Sequence, residues 1–285
     1  MNSAEFGFVS DIRNVRRSVE LLGLDATRKV TLAQAVGAYA QGGLKTETMR
    51  RCWQHTVASA VLAEEIAASC DAFASVAFTA GIMHDIGRLG LLVAYPEEYE
   101  RVIRNAAERS VDVLDFEERE FGAHHAEAGR LLAESWGLPA EMASIAGRHH
   151  DPCEGVELHL LRIVHVACCL ADVLGYDVVR PLVQSTPGEV LALLPTRARG
   201  RLTRAPEELC KRIEERILEF GSEPAQAPPE ETLALLAAAG VTGGDLHPEP
   251  GVVEGVVAKS RTRSVVLWIA AGLAAATAVA FWALR

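Results

Sequence analysis

The stretch that decides the reading is Gly81-Ile82-Met83-His84-Asp85-Ile86-Gly87-Arg88. A histidine and an aspartate stand side by side in an otherwise apolar run that reads as a helix from about residue 71. A lone imidazole or carboxylate in such surroundings is costly unless something satisfies it. Working outward, the same intrusion recurs at His55, in Trp53-Gln54-His55, and then at His124-His125, at His149-His150 and at Asp172. Gathering such groups around a cation removes the penalty at every position together. Imidazole with carboxylate suits iron, manganese, zinc or nickel, and a shared carboxylate can bridge two ions. A bound ion also lowers the pKa of its water toward neutrality, which yields a hydroxide able to attack phosphorus.

Each member also has a plainer reading. His55 reads equally as a satisfied core histidine, and His84-Asp85 as a helix end before Gly87. His149-His150 suits a helix C-terminus, where positive charge is favourable. Asp172 reads equally as a solvated acid. Neighbours on a helix point about 100° apart, so His124 and His125 cannot both face one site. His159 and His165 read as packing or surface residues, and His247 as a solvated one. The argument for a metal centre rests on the set, in this order along the chain.

Around these residues the sequence predicts helices and no strand. Apolar positions recur at helical spacing over residues 11–22, 25–40, 46–68, 123–136, 139–150 and 158–175. Proline opens further helices at Pro96, Pro187 and Pro206, as suits a first turn. After Phe220 the text GSEPAQAPPEE reads as a linker. A short helix is expected over 232–239, followed by a glycine-rich polar tether to residue 263. Residues 264–284, SVVLWIAAGLAAATAVAFWAL, carry no charge or proline. At about 1.5 Å per residue that run spans roughly the 30 Å hydrocarbon layer. Lys259, Arg261 and Arg263 precede it and only Arg285 follows, which places the bulk of the chain in the cytoplasm.

Composition narrows the classes. The hydrophobic share is 49%, enough for a sizeable core, while aromatics are only 6%; with alanine and leucine dominant, this favours helix. A formal charge of −10 argues against a nucleic-acid partner gripped through its phosphates. The six cysteines form no C-x-x-C pair and fall mostly in apolar helical patterns. They read as reduced core residues of a cytosolic protein, not as zinc ligands.

The order of the blocks carries a resemblance. Trp53–His55, GIMHDIGR at 81–88, EEREFGAHHAEAGRLLAESWGLP at 117–139, IAGRHHDP and IVHVACCLAD resemble the HD superfamily of metal-dependent phosphohydrolases. They are most similar to its HDOD branch, the HD-related output domains of bacterial signalling proteins. NSAEFGF at 2–8 resembles that family's asparagine-serine-alanine turn, so the likeness spans roughly residues 2–180. In the family that turn lies inside the domain, after several helices. The resemblance therefore implies that this chain lacks the first helices and leaves an apolar face suited to self-association as a homo-oligomer.

The resemblance implies an all-α, HD-type helical bundle, placed over 1–220, to which the residue pattern adds a linker with a short helix over 221–263 and a transmembrane helix over 264–284. It implies that His55, His84, Asp85 and Asp172 hold a first divalent ion, with iron, manganese or zinc the best suited. His125, His149 and His150 would add a second, with Asp85 as the bridge. Asp85 and Arg88 are the candidate catalytic residues, Arg88 standing where active relatives keep a basic group near the phosphate. Two departures count against cyclic-di-GMP hydrolysis: the chain after His150 lacks a D-G-x-G-Y-P segment, and Arg51 stands where that branch has a glutamate. The leading expectation is a membrane-anchored regulatory module with protein partners. The other is a phosphohydrolase acting on a nucleotide or related phosphate ester.

Overall fold

The computed structural model describes residues 46–70, 74–151, 159–181, 184–220 and 228–239. The expected helices over 11–22 and 25–40, the asparagine-serine-alanine turn, the tether and the transmembrane helix over 264–284 lie outside the described residues. Every regular element among the described residues is helical.

The domain is built around α1, Glu47–Ser69. Thr46 caps its start by accepting from the Met49 amide at 3.3 Å, and Glu47 complements the positive end of the helix. From Cys52 to Ala63 every residue is buried, so α1 is covered on all sides. Helix α2, Ala74–Met83, lies against it, and Gly81 lets the two approach closely. A Cβ on Gly81 would come within 2.5 Å of the Ala60 Cα. The apolar run continues as α3, Ile86–Ala94, after a turn at His84-Asp85. Residues Val76–Ala94 are long and apolar enough by composition to cross a membrane, yet 83% of the window is buried inside the domain, which explains its composition as core.

Helix α4, Pro96–Arg109, ends at Ser110 in the left-handed region (φ 50°). Helix α5, Val113–Phe121, is capped by Asp112 and closed by Gly122 at φ 72°. Helices α6, His125–Ser135, and α7, Ala140–Arg148, pack on each other, and α6 also lies against α3. Helix α8, Leu160–Ala171, returns to α1 and runs into a π-helical turn, Asp172–Tyr176, that ends where Gly175 adopts φ 89°. Three helices complete the far side: α9, Pro187–Ala192; α10, Thr196–Leu202; and α11, Pro206–Glu219. The Trp53 indole donates to the Phe220 carbonyl at 3.3 Å and fastens the end of α11 to α1. A last helix, α12, Glu230–Ala239, buries Leu236 and packs against α9 and α11.

Candidate metal centre

Six segments deliver the centre. Buried α1 presents His55, the turn after α2 presents His84 and Asp85, and the first turn of α3 presents Arg88. His125 opens α6, His149 and His150 close α7, and Cys168 and Asp172 come from the end of α8. Gly87 makes the convergence possible. A Cβ there would sit 2.0 Å from the His125 carbonyl oxygen and 2.3 Å from the Gly129 amide nitrogen, so only glycine lets α3 lie on the start of α6.

Backbone carbonyls fix the imidazoles. His55 Nδ1 lies 3.0 Å from the Tyr176 carbonyl, His84 Nδ1 2.6 Å from that of Gly81, and His149 Nδ1 3.0 Å from that of Ala146. A carbonyl only accepts, so each Nδ1 carries the proton and each Nε2 offers a lone pair. Burial pulls the pKa of His84 and His149 below the usual imidazole range, and that of His55 down to about 3. All three are neutral at pH 7. Neutral rings locked through Nδ1 are the form in which histidine binds metals.

The other half of the centre is organised by charge. Burial alone would raise the Asp85 carboxyl, but the Arg88 guanidinium and the surrounding imidazoles hold it well below the usual carboxylate range. Arg88 Nε donates to Asp85 Oδ2 at 2.7 Å, Nη1 to the Tyr99 hydroxyl at 3.3 Å, and Nη2 to His125 Nε2 at 3.1 Å. Behind them lies Glu117 of α5, fully buried. It accepts from His125 Nδ1 at 2.7 Å, from the His125 amide at 2.8 Å and from the Tyr99 hydroxyl. Burial would raise its pKa too, yet His125 and Arg88 outweigh burial and keep it ionised. His150 Nε2 lies 2.9 Å from His125 Nε2 at the more exposed edge of the cluster.

Two observations show that these residues fit a cation. Asp85 Oδ1 and His84 Nε2 are buried and have no hydrogen-bond partner, and orphaned buried acceptors of this kind are rare. Second, the neutral His84 and His149 rings and the buried, ionised Asp85 carboxylate form one group of ligand atoms, and a cation there would offset the cost of burying that charge. Three triads bring their ligand atoms within 4.8 Å of one another: His84, Asp85 and His149; His125, His149 and His150; and His55, His84 and Cys168. A bound ion would supply Lewis acidity and an activated water. The chain itself supplies oriented lone pairs, a fixed guanidinium and shielding from bulk solvent.

Of the residues anticipated from sequence, His55, His84, Asp85, His125, His149 and His150 are brought together. Asp172 lies beside them differently: its Oδ1 is 3.3 Å from His55 Nδ1, on the edge of that ring away from the lone pair. Burial and the nearby Asp177 push its carboxyl up to about 8. Arg88, expected to face a phosphate, spends its donors on Asp85, Tyr99 and His125, although it also borders a cavity of about 400 Å³ shared with His55, His150, Cys168, Asp172 and Arg180. His124 caps α6 by accepting from the Glu127 amide at 3.3 Å, consistent with its facing away. Arg51 pairs with Asp177 at 3.2 Å. Cys168 is a free, buried core cysteine as expected, and its sulfur also lies 3.4 Å from His55 Nε2, within 4.8 Å of the His84 donor atom. Glu117 and Tyr99 were not anticipated at all.

A helical bundle that converges histidines from separate helices on a central His-Asp pair defines an HD-type domain. The sequence matches the HDOD domain family over residues 1–152. The chain belongs to the HDOD family. In fold it is similar to a crystal structure of an HDOD domain protein of unknown function from Geobacter sulfurreducens, with a TM-score of 0.61 and 22% identity, covering 75% of this chain and 78% of that one. It is 26% identical over 155 residues to an uncharacterized protein of Treponema pallidum (strain Nichols), covering 53% of this chain and 29% of that protein. The match thus spans under a third of that relative. A weaker likeness, TM-score 0.38 at 21% identity, is to the MmoQ response regulator of Methylococcus capsulatus strain Bath, covering 83% of this chain and 80% of that one.

Proposed function

We propose that this chain is a regulatory HDOD module whose HD core holds one divalent ion as a fixed centre and does not hydrolyse phosphate esters. One observation carries the reading. The guanidinium of Arg88 contacts both Asp85 Oδ2 and His125 Nε2, an oxygen and a nitrogen that a second ion would need. Two-ion hydrolysis depends on a carboxylate free to bridge and on positions open to substrate and water. Here half of that bridge is already bonded to a permanent cation, and a second ion would sit against its full positive charge.

In this reading the module gathers protein partners at a membrane surface, held there by residues 264–284, whose apolar length and flanking arginines support an anchor. The cavity of about 400 Å³ beside Arg88, Arg180 and His150 supports the competing reading, a phosphohydrolase for a nucleotide-like ester. The test is turnover. Full-length protein loaded with Mn²⁺ or Fe²⁺ is assayed against phosphomonoesters and cyclic and linear dinucleotides. The regulatory reading expects no turnover above the metal alone. Hydrolysis abolished by Asp85→Ala would overturn it in favour of the enzyme.

A further inference from the structure

The geometry points to Cys168 as a thiolate ligand of the divalent ion, sharing it with His55 and His84, while Asp172 stays outside the ion's shell on the far edge of the His55 ring. The inference rests on the metal-centre reading and narrows it to one donor set. Two observations support it. The ligand atoms of His55, His84 and Cys168 lie within 4.8 Å of one another and all three side chains are buried. Into the same space points His84 Nε2, fully buried and without a hydrogen-bond partner.

Helical spacing explains why the cysteine and not the aspartate takes this place. Positions 168 and 172 are one turn apart and share a face. Cys168 lies one turn deeper, 4% exposed, with its sulfur on the Nε2 side of His55 at 3.4 Å. Asp172 keeps a side chain 26% exposed and meets the same ring at Nδ1, 3.3 Å away. The Tyr176 carbonyl accepts from that Nδ1 at 3.0 Å and fixes tautomer and ring orientation, a familiar supporting role around metal-bound histidine, while Asp172 only flanks the same edge. On ligation the thiol proton passes to solvent, and the sulfur joins the ion as thiolate. Two imidazoles and one thiolate form a soft donor set, favouring zinc over manganese or magnesium.

Cobalt(II) is the probe, added to chelator-stripped full-length protein and followed by absorption. The expected result is visible ligand-field bands together with a sulfur-to-cobalt charge-transfer band in the near ultraviolet. Cys168→Ser removes the charge-transfer band, whereas Cys169→Ser and Asp172→Asn keep it with little change in cobalt affinity. Because Cys168 is buried, the unaltered zinc protein provides a check that needs no variant: X-ray absorption should place one sulfur at about 2.3 Å from zinc. Cobalt bound without the charge-transfer band, or a zinc shell of nitrogen and oxygen only, overturns the role of Cys168 and leaves the metal centre standing. Failure to bind either ion overturns both.

Discussion

The two halves of the centre solve the same electrostatic problem in opposite ways. On the side of α1 and α8, His55, His84 and Cys168 present donor atoms with nothing between them, and His84 Nε2 goes unmatched. On the side of α5 and α6, Asp85, His125 and Glu117 already surround a cation, the guanidinium of Arg88. The first half needs an ion from solution. The second carries its own. A site with the full set of HD ligands can therefore differ in ion capacity from a two-metal enzyme, and the difference lies in what one arginine touches.

The largest expected effect comes from removing that internal cation. Arg88→Met leaves Asp85 and Glu117 buried without their partner and should cost about 3–5 kcal/mol in denaturant unfolding. If the arginine occupies the place of a second ion, excess Mn²⁺ or Zn²⁺ should restore part of the loss in this variant and add little to the unaltered protein. A cost below 1 kcal/mol would mean the guanidinium is not the counter-charge. Next comes the joint between the halves. Gly87→Ala drives a methyl into the His125 carbonyl and the Gly129 amide, and should cost about 2–3 kcal/mol as overpacking while separating α3 from α6. Its unfolding midpoint, with metal affinity, reports both effects.

Acid sharpens the comparison from the histidine side. In metal-free protein the folded pKa of His55 is about 3, against about 6.5 unfolded. Above pH 6.5 neither state holds the extra proton. Below it the unfolded chain takes up the proton first, so stability falls as the pH drops from about 6.5 toward 3. From His55 alone the loss at pH 5 is about 2 kcal/mol. His84 and His149, also lowered, act in the same direction. Flat stability of the stripped protein between pH 7 and 5 would show that these rings are not buried neutral. The smallest effect belongs to His124, beside a core member of the cluster yet only a helix cap. His124→Ala should cost about 0.5–1 kcal/mol and leave ion affinity unchanged.

Much of this was readable from residues. Thr46, Pro96, Pro187 and Pro206 mark helix starts that the structure places where local chemistry dictates. The histidines were legible because each interrupts an apolar helical pattern. What escaped did so for identifiable reasons. The end of the helix at His84-Asp85 was readable, but the apolar run continues beyond it, so α3 was not predicted as a helix of its own. Helix α5 is short and carries mostly charges, which hid Glu117 as an ordinary surface acid, whereas the fold buries it completely behind His125. Cys168 sits in an apolar helix, where a thiol and a small hydrophobe look alike. Asp172 showed its presence but not which edge of the His55 ring it meets, and that depends on the turn ended by Gly175.

The most direct test of the one-ion account is the binding stoichiometry of stripped, full-length protein titrated with Zn²⁺ or Mn²⁺ by calorimetry or native mass spectrometry. The account predicts one tightly bound ion per chain, with a second appearing only when Arg88 is replaced by methionine. Two tightly bound ions per unaltered chain would contradict it.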